Sequence, residues 1–199
     1  KNKIFNALNA LEKVYNDTIA PQGNWWYWEI GIPLSLNSIF TLMYDYADKS
    51  QLKRYMAAER HINDRIKLTG ANRLWESVIF AVRGILLSDS DSIKYAISGI
   101  QDVVVITDSG DGFYKDGSFI QHDNIPYNCG YGRSLIQELA PMLYTFKDTE
   151  FEIKNTDIIN TWVEKSYLPF IYNGRTMDMV RGREISRYYE QSDFACLRI

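Results

Sequence analysis

Apolar residues recur along most of the chain at the three- and four-residue spacing that one face of an amphipathic helix requires. Six such stripes each predict a helix with one buried face. They consist of Ile4, Leu8, Leu11 and Tyr15; Ile39, Leu42, Met43 and Tyr46; Val78, Ile79, Val82 and Leu86; Ile93, Ile97, Ile100 and Val104; Leu135, Leu139, Met142 and Phe146; and Ile158, Ile159, Trp162 and Val163. Ser90 and Thr156 are the expected N-caps of two of these helices. Only the run DVVVIT, residues 102–107, has the density of β-branched residues typical of a strand, and it also fits the end of the fourth helix.

The connections between the predicted helices are of two kinds. Short turns, such as residues 88–91, alternate with long loops that are rich in Gly, Asn, Trp and Tyr. The long loops are residues 21–33, 69–72, 109–132 and 173–182. This alternation predicts an all-α fold of stacked antiparallel helical hairpins, an (α/α) toroid, with the loops gathered at one end. The stretch GSFIQHDNIPYNCGYG, residues 117–132, is interpreted as a glycine-rich loop without helix or strand.

Composition limits the classes of partner. The chain has 199 residues, 46% hydrophobic and 24% charged, which is typical of one globular domain. Its net charge of −3 gives no overall positive field, so we expect no nucleic-acid partner, and an acidic partner would need a local cationic cluster. The two cysteines, Cys129 and Cys196, are too few for a disulfide framework or a metal site. No stretch reaches the roughly 20 apolar residues that a membrane span needs, and we expect no membrane insertion.

Four loops carry most of the candidate chemistry. They are GNWWYWEIGIP (Gly23–Pro33), TGANR (Thr69–Arg73), DGFYKDGSFIQHDNIPYNCGYG (Asp111–Gly132) and MDMVRGREISR (Met177–Arg187). In order and approximate spacing, these segments resemble the signature segments of polysaccharide lyase family 8, which includes hyaluronate, chondroitin AC and xanthan lyases. The resemblance runs from Asn24 to Arg187, and four motifs in the same order are far more specific than one.

The resemblance implies an incomplete (α/α) toroid, with residues 1–199 forming part of the N-terminal catalytic domain and the family's C-terminal β-sheet domains absent. The first residues already follow a helical pattern, so we expect a piece of a larger protein. The resemblance further implies β-elimination on an acidic, uronic-acid-containing polysaccharide, hyaluronan or chondroitin first and xanthan as the alternative, without metal or cofactor. It also implies a monomer that is secreted or exposed at a bacterial cell surface.

The resemblance assigns roles to individual residues. Asn72 is matched to the asparagine that meets the uronate carboxylate, His122 to the catalytic histidine and Tyr131 to the catalytic tyrosine. The paired arginines of the family correspond to Arg183 and Arg187. The substrate-binding asparagine and aromatic patch correspond to Asn24, Trp25 and Trp26. The chain departs from many relatives at Trp75 and Glu76, where they have Asp shortly after the asparagine, and at Cys129, where Gly or Ala is commoner.

Elementary chemistry agrees with these roles. A tyrosine with an ordinary pKa near 10 is a poor base at neutral pH, and nearby cations lower that pKa by about 1–3. Arg183 and Arg187 are spaced i, i+4, so we expect both on one helical face, where they lower the pKa of Tyr131 and bind substrate. Trp25 and Trp26 are adjacent, so a regular element cannot direct both into one core, and at least one is expected to be exposed or in irregular backbone.

Two other functions remain open at this point. An (α/α)-toroid glycoside hydrolase would need two carboxylic acids, for which Asp111, Asp116 and Asp123 are candidates. A non-catalytic fragment would bind sugar but need the missing domains for activity. Taken singly, most of these residue types are structural more often than catalytic, and His61, Tyr127, Trp28 and Trp162 are interpreted as structural here.

Overall fold

The longest helix, α4 (Gly70–Leu87), lies at the centre of the fold and packs against three other helices, α2, α5 and α6. The computed structural model describes residues 1–173 and 175–187; Cys196 lies outside them. In chain order the remaining helices are α1 (Asn2–Leu11), α2 (Ile32–Leu42), α3 (Lys49–Ile62), α5 (Ser90–Gln101), α6 (Arg133–Phe146) and α7 (Ile158–Trp162). The fold is therefore built mainly of helices, as predicted. No helix in the described part of the chain has both the length and the apolar character needed to cross a membrane.

Two hydrophobic cores lie on either side of α4. The larger core joins α4, α5 and α6 to the loop segments and includes Leu74, Phe113, Leu139 and Trp162. The smaller core joins α1, α2 and α3 and includes Leu8, Phe40 and Tyr55. The N-terminal part of α4 packs in the larger core through Ala71 and Leu74, and its C-terminal part packs in the smaller core through Leu86.

The stretch of residues 117–132 is not free of secondary structure, and that prediction was wrong. A four-stranded sheet has the order β1 (Ile106–Thr107), β2 (Gly112–Tyr114), β3 (Phe119–Gln121) and β4 (Ile125–Pro126). The β1–β2 pair is parallel and the other two pairs are antiparallel, with Phe113 opposite Phe119 in the register. These strands are only two or three residues long, which is too short for an alternating pattern to appear in the sequence. A second hairpin joins β5 (Ile171–Tyr172) to β6 (Arg175–Thr176).

Three local predictions about helices also need correction. Helix α2 ends at Leu42, which is 81% exposed, and its buried positions are instead Pro33, Leu36, Asn37 and Phe40. The N-cap of α5 is Asp89, whose carboxylate accepts from the backbone N–H of Ser92 at 3.1 Å. Helix α7 begins at Ile158 after Asp157, and Thr156 does not cap it. In each case the apolar spacing identified the helix but not its boundary.

A carboxylate and a guanidinium lie inside the fold without hydrogen bonds. Glu59 on α3 and Arg83 on α4 are both fully buried, and no described residue forms a hydrogen bond with either charged group. The Arg83 guanidinium lies 4.1 Å from the centroid of the Phe80 ring. Burial raises the pKa of Glu59 well above its ordinary value, and the positive charge of Arg83 opposes this rise. A charged Glu59 therefore costs stability at neutral pH.

This arrangement predicts how stability changes with pH. The pKa of Glu59 is higher in the folded protein than in the unfolded chain. The contribution of neutral Glu59 to the unfolding free energy is therefore fully present below the unfolded pKa, near 4.3, and is lost as pH rises through the folded pKa. The slope from one such group is at most about 1.4 kcal/mol per pH unit. We expect Glu59→Gln to flatten the decline in unfolding free energy as the pH rises above about 4.3, measured by urea denaturation at a series of pH values. The exposed Glu164→Gln variant is the control, and an unchanged slope in Glu59→Gln would contradict the assignment.

Candidate active site

A cleft of about 520 Å³ opens where the loops meet the N-terminal ends of the helices. It collects seven of the eight predicted site residues, from segments far apart in the chain. Its lining consists of Asn24, Trp25, Trp26, Tyr27, Trp75, His122, Gly130, Tyr131, Arg133, Ser134, Arg183, Glu184 and Arg187. Asn72 is the predicted residue that is not in this lining.

Tyr131 lies in a turn of π-helix, Asn128–Gly132, that leads directly into α6. The turn is fixed by Asn128, whose side chain accepts from the Phe119 backbone N–H at 3.1 Å and donates to the carbonyl oxygens of Gly117 and Ser166 at 2.8 and 3.1 Å. The Tyr131 side chain is 9% exposed and contacts His122 and Trp75 across the cleft. Its hydroxyl is thus presented at the cleft from a buried ring.

Arg183 is fixed by two tyrosines. Its backbone N–H donates to the Tyr127 hydroxyl at 3.0 Å, and its Nη2 donates to the Tyr131 hydroxyl at 2.7 Å. Gly182 precedes it with φ +52°, and a Cβ at that position would lie 2.5 Å from Cζ of Tyr127, so the close approach requires glycine. Tyr127 is fully buried, which agrees with its structural interpretation.

The two arginines do not share a helical face as predicted. Arg183 lies in a short 3-10 turn, Gly182–Ser186, and Arg187 follows that turn. Both nevertheless line the cleft, because the tighter turn and the bend after it direct them to the same side. Arg187 Nη1 donates to Oε1 of Glu184 at 3.0 Å, so the acidic neighbour binds Arg187 rather than Arg183.

The expected lowering of the Tyr131 pKa is not the net result. Burial raises the pKa of the Tyr131 phenol above its ordinary value, and this effect outweighs the opposing positive charge of Arg183. Glu184 adds to the rise, and Arg187 opposes it. The desolvation of the ring could not be read from the sequence. Before substrate binds, Tyr131 is therefore a neutral phenol that accepts a charge-assisted hydrogen bond.

His122 lies at the turn between β3 and β4, on the exposed side of the sheet. Its backbone and that of Asp123 are left-handed, with φ +57° and +68°. The imidazole meets the Tyr131 ring edge to face, with centroids 5.1 Å apart and planes at 89°. The turn therefore directs the imidazole against the phenol that the resemblance pairs with it.

Asn72 lies in the first turn of α4, where it is buried and absent from the cleft lining. Its Oδ1 is buried and has no hydrogen-bond partner among the described residues. Buried amide oxygens are rarely left unsatisfied in folded proteins. Trp75, three residues later on the same helical face, does line the cleft, so Asn72 lies on the side of α4 that faces the cleft.

The tryptophan loop forms the wall opposite Arg183. Asn24 Oδ1 accepts from the Trp26 backbone N–H at 3.0 Å and so shapes the turn that presents the indoles. Trp25 is 44% exposed and Trp26 is half-buried, as expected for adjacent residues that cannot share one core. Trp26 packs edge to face on Trp75 at 5.7 Å, and Trp75 packs on Tyr131 at 5.9 Å. This aromatic chain connects the tryptophan loop to the reactive phenol.

The cleft is cationic although the protein is acidic overall. Three arginines, Arg133, Arg183 and Arg187, line it, and Glu184 is the one carboxylate that the described residues contribute to the lining. The candidate hydrolase residues Asp111, Asp116 and Asp123 are absent from the lining, so the described part of the chain supplies no carboxylate pair to this cleft. Across residues 1–173 and 175–187, no group of three or more His, Cys, Asp or Glu side chains is arranged to hold a metal ion.

Comparison with known proteins gives the family. A family model described as polysaccharide lyase family 8, N terminal alpha-helical domain, matches residues 1–198. The chain belongs to polysaccharide lyase family 8. This family 8 chain is 38% identical over 197 residues to a xanthan lyase of Bacillus sp. (strain GL1), covering 96% of the chain and 21% of that protein. It is 37% identical over 192 residues to a hyaluronate lyase of Thermasporomyces composti, covering 92% of the chain and 25% of that protein.

Solved structures of the family have the same fold. The structure of Paenibacillus xanthan lyase matches with a TM-score of 0.87 and 40% identity, covering 97% of this chain and 19% of that one. The Streptomyces coelicolor A3 chondroitin AC lyase, in complex with chondroitin sulphate, matches with a TM-score of 0.88 and 32% identity, covering 92% and 26%. The predicted all-α fold of an incomplete (α/α) toroid is confirmed. The family 8 chain spans about a fifth to a quarter of the length of these relatives.

Six of the lining residues were not predicted as site residues from the sequence, namely Tyr27, Trp75, Gly130, Arg133, Ser134 and Glu184. A signal existed for Trp75, because it follows Asn72 by three residues on a helix and so shares its face. Tyr27 extends the tryptophan loop by one residue. Arg133 and Ser134 begin α6 immediately after the π-helical turn, and their position depends on a turn that the sequence did not predict.

The Arg183 contact predicts a measurable change at Tyr131. Arg183→Met removes the positive charge and the hydrogen bond that oppose the effect of burial, so the pKa of Tyr131 should rise further. The measurement is a ¹³C NMR titration of Cζ-labelled tyrosine, with Tyr131→Phe used for assignment. The exposed Arg65→Met should leave the resonance unchanged. A pKa that stays constant or falls in Arg183→Met would show that the guanidinium does not stabilise the phenolate.

Proposed function

We propose that this family 8 chain forms the catalytic α-domain of a lyase that cleaves a uronic-acid-containing polysaccharide by β-elimination, with Tyr131 as base and acid. The observation that carries the proposal is the Tyr131 hydroxyl, which accepts from Arg183 at 2.7 Å and lies beside His122 in a cationic cleft. A base must first be correctly placed and then have a suitable pKa. The position of Tyr131 in the cleft lining supports the first condition, and the positive charge of Arg183 favours the second.

The proposed step is a proton transfer coupled to bond cleavage. The Tyr131 phenol first loses its proton to water, and the positive charge of Arg183 favours the resulting phenolate. The phenolate oxygen then takes the proton from C5 of the uronate, and the C5–H electron pair forms the second bond between C4 and C5. The bond between C4 and the glycosidic oxygen breaks, and that oxygen receives a proton from the Tyr131 phenol. The Arg183 guanidinium stabilises the phenolate during the step, because a buried anion needs a nearby cation.

The substrate carboxylate needs its own hydrogen-bond donors. Removal of the C5 proton drives negative charge onto a group that is already anionic, and an aligned donor stabilises that charge as in an oxyanion hole. We assign this role to the amide of Asn72, with the His122 imidazole as a second contact. The donor in this role is the Nδ2 group of the amide, because the buried Oδ1 is an acceptor and cannot bind a carboxylate.

The walls of the cleft suit an acidic sugar polymer. Trp25 and Trp26 offer flat apolar faces for the C–H groups of sugar rings, and Asn24 shapes the turn that presents them. The arginines supply the local positive charge that a protein of net charge −3 needs to attract a polyanion. The hydrolase alternative is not supported, because it requires two carboxyl groups on either side of the glycosidic bond.

The relatives named above include lyases for more than one polymer, so an experiment must identify which polymer this enzyme cleaves. The full-length protein is incubated with hyaluronan, chondroitin sulfates and xanthan, and the ultraviolet absorbance of the unsaturated uronate product is followed. We propose that the isolated 199-residue chain turns over far more slowly than the full-length protein, because the remaining domains complete the cleft. Equal turnover by the two would contradict that part of the proposal.

Tyr131→Phe tests the base directly. The substitution removes only the hydroxyl, so we expect the loss of unsaturated product with little change in oligosaccharide binding by calorimetry. Tyr144→Phe is the matched control, because Tyr144 is 86% exposed on α6 and does not line the cleft. Product formation by Tyr131→Phe at the wild-type rate would eliminate the proposed mechanism.

Asn72→Ala tests the carboxylate contact. Loss of one donor to a developing charge should lower kcat by about 10²–10³ and affect KM much less. Asn63→Ala is the comparison variant, because Asn63 lies outside the cleft and donates to Glu76 at 3.1 Å. If both variants lose stability and activity in parallel, Asn72 has a structural role only.

A further inference from the structure

A carboxylate outside the cleft connects three of the loops that build it. Asp111, just before β2, accepts at Oδ2 from the Thr69 hydroxyl at 2.6 Å and from Nε2 of Gln121. Its Oδ1 accepts from the backbone N–H of Asp123 at 2.9 Å. The three donors come from the segment before α4, from β3 and from the β3–β4 turn. One side chain therefore joins the segment that carries Asn72 to the turn that carries His122.

The network continues through Gln121 to the first turn of α4. Oε1 of Gln121 accepts from the backbone N–H of Ala71 at 3.0 Å, so both ends of this amide are used. Gly70 makes the approach possible, because its φ is +54° and a Cβ there would lie 2.4 Å from Oε1 of Gln121. Gln121 is 1% exposed and cannot exchange these contacts for water. Ala71 and Gln121 directly precede Asn72 and His122, respectively.

The turn that holds His122 needs such support. His122 and Asp123 are consecutive non-glycine residues in the left-handed region, which such residues adopt only when their surroundings impose it. The hydrogen bond from the Asp123 N–H to Asp111 fixes Asp123. The contact between Ala71 and Gln121 fixes the residue that precedes His122. The imidazole between them then meets Tyr131 at a centroid distance of 5.1 Å.

We propose that Asp111 is a positioning residue that sets His122 against Tyr131 and fixes the distance between His122 and Asn72. The proposal rests on the lyase function proposed above and adds a residue to it. Asp111 does not contact the substrate, because it is absent from the cleft lining. Its carboxylate is occupied by three donors, which also explains why it is unsuited to the acid or base role considered from the sequence.

The first test replaces Asp111 in the full-length enzyme. Asp111→Asn keeps the shape but turns one acceptor into a donor that faces other donors, so the turn should relax and kcat should fall about 10²-fold, as expected for a reactive group displaced by about 1 Å. Asp116→Asn is the matched control on the same loop, since Asp116 accepts only from Ser118 and lies outside the cleft; its kcat should match the wild type. Wild-type kcat in Asp111→Asn would overturn the proposal.

The second test uses pH as a readout that general destabilisation would not reproduce. Gln121→Glu places an ionisable group against Asp111: protonated, it donates to Asp111 and accepts from Ala71 as the amide does, and ionised, it repels Asp111. The ratio of variant to wild-type activity should therefore rise as the pH is lowered from about 8 to about 5, because the introduced Glu becomes protonated. Gln121→Met should give a low ratio that does not depend on pH. A pH-independent ratio in Gln121→Glu would contradict the proposed network.

A crystal structure of full-length Asp111→Asn separates this proposal from the lyase function. We expect His122 to leave its left-handed backbone and its contact with Tyr131, whatever the enzyme acts on. If the wild type produces no unsaturated uronate from any of the polymers, the lyase function fails, while a displaced His122 still supports the positioning role. An unmoved His122 overturns the positioning role even if the wild type is an active lyase.

Discussion

The hydrogen bond from the Arg183 guanidinium to the Tyr131 hydroxyl is the interaction on which the site depends. Burial of the phenol opposes its ionisation, and Arg183 is the largest opposing influence. A charge-assisted hydrogen bond in a poorly solvated site is roughly twice as strong as a neutral one. The same burial that makes Tyr131 a poor base in the resting state makes the contact with Arg183 effective when negative charge develops on the phenol oxygen.

That hydrogen bond requires rigid loops, and polar side chains supply much of the rigidity. Asn128 fixes the π-helical turn of Tyr131 through three backbone groups. Glu76, on α4, fixes the segment before that helix in the same way. It accepts from the backbone N–H groups of Lys67 and Leu68, both at 2.9 Å, and from the Asn63 side chain. Loss of such a buried partner costs about 1–3 kcal/mol. Buried side chains therefore replace the long backbone ladders that these loops lack.

The helices could largely be predicted from the sequence, because helical spacing is a local property, and most residues of the cleft were predicted from the resemblance of four motifs to polysaccharide lyase family 8. What could not be predicted depends on tertiary contacts. Strands of two or three residues leave no periodic pattern, so β2–β4 were missed. The pKa of Tyr131 depends on how deeply its ring is buried, which spacing does not reveal. Asn72 was predicted in the cleft but is buried and absent from its lining, and the depth of a side chain on a helical face is not visible in the spacing.

The proposed mechanism requires C5 of the uronate to lie next to the Tyr131 hydroxyl, and a crystal structure of full-length Tyr131→Phe with a bound uronate oligosaccharide would show this directly. We expect C5 of one uronate about 3–3.5 Å from the position of the missing hydroxyl, a distance suited to reaction. We also expect the carboxylate of that sugar to face Asn72 and His122 and neighbouring rings to lie against Trp25 and Trp26. A uronate bound with C5 turned away from residue 131, or a polymer bound outside this cleft, would contradict it.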